Sequence, residues 1–193
     1  YGIDFMLDMV LNHCSIEHEW FQKALAGDSY YQDFFILRDE PTDWLSKFGG
    51  SAWAPFGDTG KYYLHLYDVT QADLNWRNPN VRQELFKVVN FWRDKGVKGF
   101  RFDVINVIGK DEVLLDCPEQ EGKPAYTDKP IVHDYLRMMN EATFGQDDSF
   151  MTVGEMSATT IENCILYTAP DRQELSMAFN FHHLKVDYED GQK

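Results

Sequence analysis

Four short apolar runs, at residues 3–10, 99–104, 150–154 and 175–181, constrain the fold of this 193-residue chain more than any other feature. Each has the length of a strand, and helical patterns separate the last three. The segment 79–95 follows Asn78-Pro79, a capping residue and a first-turn proline, and places Val81, Leu85, Val88, Val89 and Trp92 on one face at helical spacing. A second helix is predicted over 131–143, with Val132, Leu136 and Met139 in register, and a third over 159–168 with Ser157 and Thr159 as candidate caps. Strand, helix and strand in repetition define an α/β fold of parallel βα units. The runs Gly99-Phe100-Arg101-Phe102-Asp103 and Phe150-Met151-Thr152-Val153-Gly154-Glu155 are largely apolar, which predicts strands buried on both faces.

Both of those runs end in a carboxylate, Asp103 in one and Glu155 in the other. A charge at the end of a buried strand points out of the core, into the crevice where such sheets place their chemistry. Two carboxyl groups aimed at one crevice are the equipment for cleaving a glycosidic bond. Asp103 suits the nucleophile: Arg101, two residues earlier and so on the same side of the strand, would hold it ionised and oriented. Glu155 suits the proton donor, since the apolar strand before it and Met156 after it are surroundings that raise a carboxyl pKa. The run Asp8-Met9-Val10-Leu11-Asn12-His13 closes the first strand with polar groups; Asp8 would brace the crevice floor and His13 bind a sugar hydroxyl.

The segment 13–76 breaks the βα rhythm and is crowded with aromatics, among them Trp20, Phe34, Trp44, Trp53, Tyr63 and Trp76. A structureless loop of that length is rare, so the segment reads as a subdomain with a miniature core of its own, some rings facing the crevice to stack on sugar. The polar connection 109–130 reads as a second loop over the same face.

A formal charge of −14 argues against nucleic acid or an anionic membrane as partner. No stretch is long enough to span a membrane, and the chain opens on Tyr1 almost inside an apolar run, which suggests a piece of a longer protein. Cys14, Cys117 and Cys164 are odd in number and share no CxxC spacing, the pattern of reduced thiols in a cytoplasmic protein. Neither a GxGxxG nor a phosphate-binding Walker loop is present, no cofactor is indicated, and no His/Cys cluster has metal-ligand spacing.

Three motifs in this order, Asp8-Met9-Val10-Leu11-Asn12-His13, Gly99-Phe100-Arg101-Phe102-Asp103 and Gly154-Glu155-Met156, resemble the first three signature regions of the alpha-amylase superfamily of glycoside hydrolases. Gln71-Ala72-Asp73-Leu74-Asn75-Trp76 is similar to a further motif of its oligo-1,6-glucosidase branch. Within that branch the stretches 46–53, 154–157 and 175–188 look most like the bacterial trehalose-6-phosphate hydrolases as a group. The resemblance implies part of a (β/α)8 barrel, about strands 3 to 6, with residues 1–12 as strand 3, 13–76 inserted after it, and 77–193 as the following βα units. It implies a retaining mechanism with Asp103 as nucleophile and Glu155 as general acid/base, with Arg101 and His13 at the substrate. The third catalytic acid of the superfamily has no counterpart here, so the 193 residues alone are expected to be inactive.

The implied substrate is a small phosphorylated disaccharide, and in this acidic chain His182, His183 and Lys185 form the local positive cluster its phosphate requires. An oligo-1,6-glucosidase, dextran glucosidase or sucrose isomerase is the near alternative, and a catalytically silent accessory subunit on the same barrel the non-enzymatic one. A monomer is expected at full length.

Overall fold

The computed structural model describes residues 2–181. Strand β1 spans Met6–Val10, and the aromatic segment after it holds β2 (His13–Ser15), α1 (Glu19–Leu25), α2 (Ser29–Gln32), β3 (Leu37–Arg38), β4 (Trp53–Pro55), β5 (Tyr62–Leu64) and β6 (Gln71–Asp73). Then come α3 (Pro79–Asp94), β7 (Gly99–Asp103), α4 (Pro130–Ala142), β8 (Met151–Glu155), α5 (Ile161–Thr168) and β9 (Met177–Phe179). The long strands β1, β7, β8 and β9 pair in that order, all parallel, with Asp8 opposite Arg101 and Phe102 opposite Gly154. A helix precedes each of the last three strands, as parallel crossovers demand.

The signals that start the helices act as expected at α3 and differently at α5. The Asn78 side chain accepts a 2.9 Å hydrogen bond from the Asn80 N–H, and Pro79 occupies the first turn, where its missing donor costs nothing. Val81, Leu85 and Val89 are buried along one ridge of α3, while Val88 and Trp92 stay exposed, so the contact line is narrower than the periodicity suggests. At α5 the cap is Thr160, which accepts from the Asn163 N–H at 3.2 Å. Ser157 and Thr159 are engaged elsewhere.

Within the described residues, one face of the sheet is covered and the other is open. Phe100, Phe102 and Thr152 turn toward the helices and are sealed, whereas Asp8, Val10, Arg101, Asp103, Val153 and Phe179 alternate onto the other face and keep partial or full exposure. Helices pack on only one side of these strands, and the polar side chains of β1 and β7 all fall on the other.

The aromatics of 13–76 do not form a core of their own. Phe21, Phe34, Phe35, Phe56 and Tyr63 join Met9, Leu11, Phe100 and Phe102 in one continuous cluster. Trp44, Trp53, Leu64 and Leu66 build a second cluster with Val104, Val107, Leu114 and Tyr126 from the connection after β7. Trp44 is fully buried there, its indole Nε1 donating to the Leu115 carbonyl at 2.8 Å. Its ring lies directly over Gly122, whose φ of +82° no side-chain-bearing residue adopts easily. Among the described residues no helix is long and apolar enough to cross a membrane.

Candidate active site

Arg101 organises the open face of the sheet. Side chains two apart on a strand share a face, so Arg101 and Asp103 lie together, and the register sets Asp8 of β1 beside them. The Arg101 Nη1 donates to Asp8 Oδ1 at 2.6 Å and to Asp103 Oδ1 at 2.7 Å. Its Nη2 pairs with the Glu155 carboxylate at the end of β8. The guanidinium also lies 5.9 Å from the centre of the Phe179 ring on β9. Four of the side chains singled out in the sequence, Asp8, Arg101, Asp103 and Glu155, therefore meet at one guanidinium, from three adjacent strands.

The surroundings of Glu155 are only half as expected. Met156 is fully buried and Glu155 itself is 8 % exposed, but the nearest group to its carboxylate is a cation rather than an apolar wall. Asp8 is the most open member of the cluster, with its side chain 59 % exposed, and it contributes as an anchor for Arg101.

His13 begins β2 and is buried beside the Tyr67 ring, 5.5 Å between centroids. Burial lowers its pKa below 6.5; Asp73 and then Asp103 pull the other way, which puts His13 within electrostatic reach of the candidate nucleophile. Burial likewise raises the pKa of Tyr67, one of the aromatics of the 13–76 segment.

A second group was also missed. The Lys110 ammonium, sealed from solvent, lies 2.8 Å from Asp73 Oδ2 and donates to Asn12 Oδ1 at 2.6 Å. Asn12 in turn donates to Asp73 Oδ2 at 3.0 Å, and Asp73 Oδ1 accepts the Leu66 N–H at 2.9 Å. This closed network sits directly beneath His13, which meets the Asn12 amide at 3.3 Å. Asn12 and Asp73 were visible as motif residues; Lys110 gave no signal, being one lysine in a polar connection.

His182, His183 and Lys185, the expected phosphate cluster, lie outside the described residues. Among the described residues no three His, Cys, Asp or Glu side chains are grouped to hold a metal ion. A cavity of about 350 Å³ lies between the aromatic segment and the connection after β7, lined by Phe35, Trp76, Arg77, Lys110 and Asp111. None of the four clustered residues lines it; they occupy an open sheet face instead.

The family model described as the alpha amylase catalytic domain matches residues 1–193. The chain is similar to the trehalose-6-phosphate hydrolase of Bacillus subtilis, with 53 % identity over 97 % of this chain and 35 % of that protein. It is similar to an oligo-1,6-glucosidase of Parageobacillus thermoglucosidasius at 45 % identity, covering 100 % of this chain and 36 % of that one. The crystal structure of Bacillus licheniformis trehalose-6-phosphate hydrolase superposes with a TM-score of 0.94 at 54 % identity, over 100 % of this chain and 36 % of that structure. The chain thus spans about a third of the length of the relatives it matches.

Proposed function

The chain belongs to the alpha-amylase family, and on that premise we propose that it supplies two catalytic carboxylates of a retaining glycoside hydrolase acting on trehalose 6-phosphate. The observation that carries this reading is the convergence of Asp103 and Glu155 on the single guanidinium of Arg101. Two carboxyl groups that one guanidinium can bridge are close enough for nucleophile and acid to flank one anomeric carbon, the geometry of retention.

In this reading Asp103 attacks the anomeric carbon while the glycosidic C–O bond breaks. Glu155 delivers its proton to the departing oxygen, releasing glucose 6-phosphate and leaving a glucosyl ester on Asp103. Glu155 then takes a proton from water, which attacks the anomeric carbon, breaks its bond to the Asp103 oxygen and frees glucose. Arg101 aims Asp103 and offsets part of the negative charge of Asp103 and Asp8. Asp8 anchors Arg101, His13 bonds a sugar hydroxyl, and His182, His183 and Lys185 receive the phosphate.

The strands β1, β7, β8 and β9 serve as barrel strands 3 to 6, residues 13–76 as the insertion after strand 3, and sequence beyond these 193 residues supplies the rest. Three unpaired cysteines support a reducing compartment, the cytoplasm.

In the full-length enzyme, Glu155→Gln should lower kcat on trehalose 6-phosphate by about 10²–10⁴-fold. In kcat/KM, which reports the first step alone, an aryl glucoside whose leaving group needs no proton should suffer far less, and Asp103→Asn should abolish turnover of both. Undiminished hydrolysis by Asp103→Asn would refute the assignment. The 45 % identity to an oligo-1,6-glucosidase favours isomaltose as the second candidate substrate. Comparing kcat/KM for the two sugars separates them.

A further inference from the structure

The parallel ladder between β7 and β8 stops at the pair Phe102 and Gly154, one residue short of both candidate catalytic carboxylates. Beyond that point a side chain takes over the work of the backbone. Asn106, fully buried, accepts the Ser157 N–H at 2.8 Å through its Oδ1 and donates from Nδ2 to the Ser157 carbonyl, also at 2.8 Å. One amide thus pairs with both main-chain groups of one residue, as a neighbouring strand would. Asn106 stands three residues after Asp103, and Ser157 two after Glu155.

The staple is itself braced. The second Nδ2 proton of Asn106 goes to Asp128 Oδ1 at 2.9 Å, so the amide has no donor left over. Asp128 also receives the Tyr167 hydroxyl at 2.9 Å, Thr159 Oγ1 at 2.7 Å and Asn163 Nδ2 at 3.0 Å. Its own N–H returns to the Asn106 carbonyl at 3.1 Å, with a left-handed φ of +50° that aspartate adopts only at a cost. From the far side Lys47 Nζ donates to Ser157 Oγ at 2.9 Å. Val104, at φ +39°, turns the chain into the short 3₁₀ turn Ile105–Val107 that delivers Asn106 to this place.

We propose that Asn106, held by Asp128, is a positioning residue that fixes the Glu155 segment relative to Asp103. This rests on the catalytic assignment above. Neither residue touches the guanidinium cluster in the structure; the effect passes through the two hydrogen bonds to Ser157. A mutually supported polar network of this kind locks a rotamer and a backbone together.

The test uses full-length wild type, Asn106→Ala and Asp128→Asn, with trehalose 6-phosphate and a nitrophenyl α-glucoside as paired substrates. For Asn106→Ala, kcat/KM on trehalose 6-phosphate, which reports the first step in which Glu155 acts as acid, should fall about 10²-fold. The nitrophenyl substrate, whose departure needs no proton, should lose less than about tenfold in kcat/KM. Asp128→Asn keeps Asn106 and its Ser157 bonds and should show the same split at smaller amplitude, which covers the case in which Asn106→Ala does not fold. Equal losses on both substrates, or none, in a variant with native melting behaviour would overturn the proposal. Glu155→Gln measured alongside separates the two failures. If it shows the split and the Asn106 and Asp128 variants do not, positioning alone is wrong; if it shows no split, the role of Glu155 is wrong.

Discussion

Arg101 lies two residues before Asp103 on β7, and its Nη1 donates a 2.7 Å hydrogen bond to the Asp103 carboxylate. The same fork holds Asp8 and Glu155, which only a planar, multidentate cation can do. Arg101→Lys in the full-length enzyme should therefore lower kcat/KM for trehalose 6-phosphate by roughly 10²-fold. The melting temperature should move little, since lysine keeps a cation at this place and the pairs to Asp8 and Asp103 are partly exposed. Steady-state kinetics with a thermal melt checks both halves; a lysine variant with wild-type kinetics would deny Arg101 its aiming role.

The Lys110–Asp73 pair should behave in the opposite way. Both side chains are sealed from solvent, at 4 % and 0 % exposure, so removing one strands the other. Lys110→Met leaves a buried carboxylate without its cation and should cost about 3–5 kcal/mol in a urea titration. The double variant Lys110→Met/Asp73→Asn should recover a substantial part of that loss. A double variant as unstable as the single one would mean that the pair is net stabilising beyond its mutual compensation.

His13 should make stability fall on acidification. Its folded pKa is lowered by burial, so below 6.5 the unfolded chain binds a proton that the folded chain refuses. The stabilising contribution is fully present above 6.5 and is lost as pH falls through the depressed folded value. Melting temperatures of wild type and His13→Gln between pH 7.5 and 5 should diverge, the wild type dropping more steeply (about this range by the ordinary histidine value). Parallel curves would show that His13 is not a source of acid sensitivity.

Gly122 should tolerate no side chain. A Cβ there would lie inside the Trp44 indole, at a backbone φ of +82°. Gly122→Ala is expected to cost about 1–3 kcal/mol by overpacking, with a change in tryptophan fluorescence as the ring is displaced. Gly60→Ala is the control, since its φ of +78° is similar and nothing lies within 4 Å of the added carbon. It should pay only the backbone penalty, about 1–2 kcal/mol.

The sheet was legible because each strand lies in a short apolar run, and Asp103 and Glu155 announce where two of the runs stop. What could not be read was which groups would find one another across the chain. Asn106, Asp128 and Lys110 are ordinary residues in ordinary loops, and their importance lies in partners 22 to 98 positions away. Ser157 looked like a helix cap because Ser before a helical pattern usually is, yet Asn106 claims its backbone and Lys47 its hydroxyl.

The joint ownership of the Trp44 cluster has a practical consequence for anyone recombining members of this family. Residues 13–76 cannot be exchanged as a cassette, because half the wall that Trp44 and Trp53 lean on, Leu114 and Tyr126, is encoded downstream of β7. A chimaera that transplants the aromatic segment alone would mismatch across that seam, and the unit to move is the pair of stretches together.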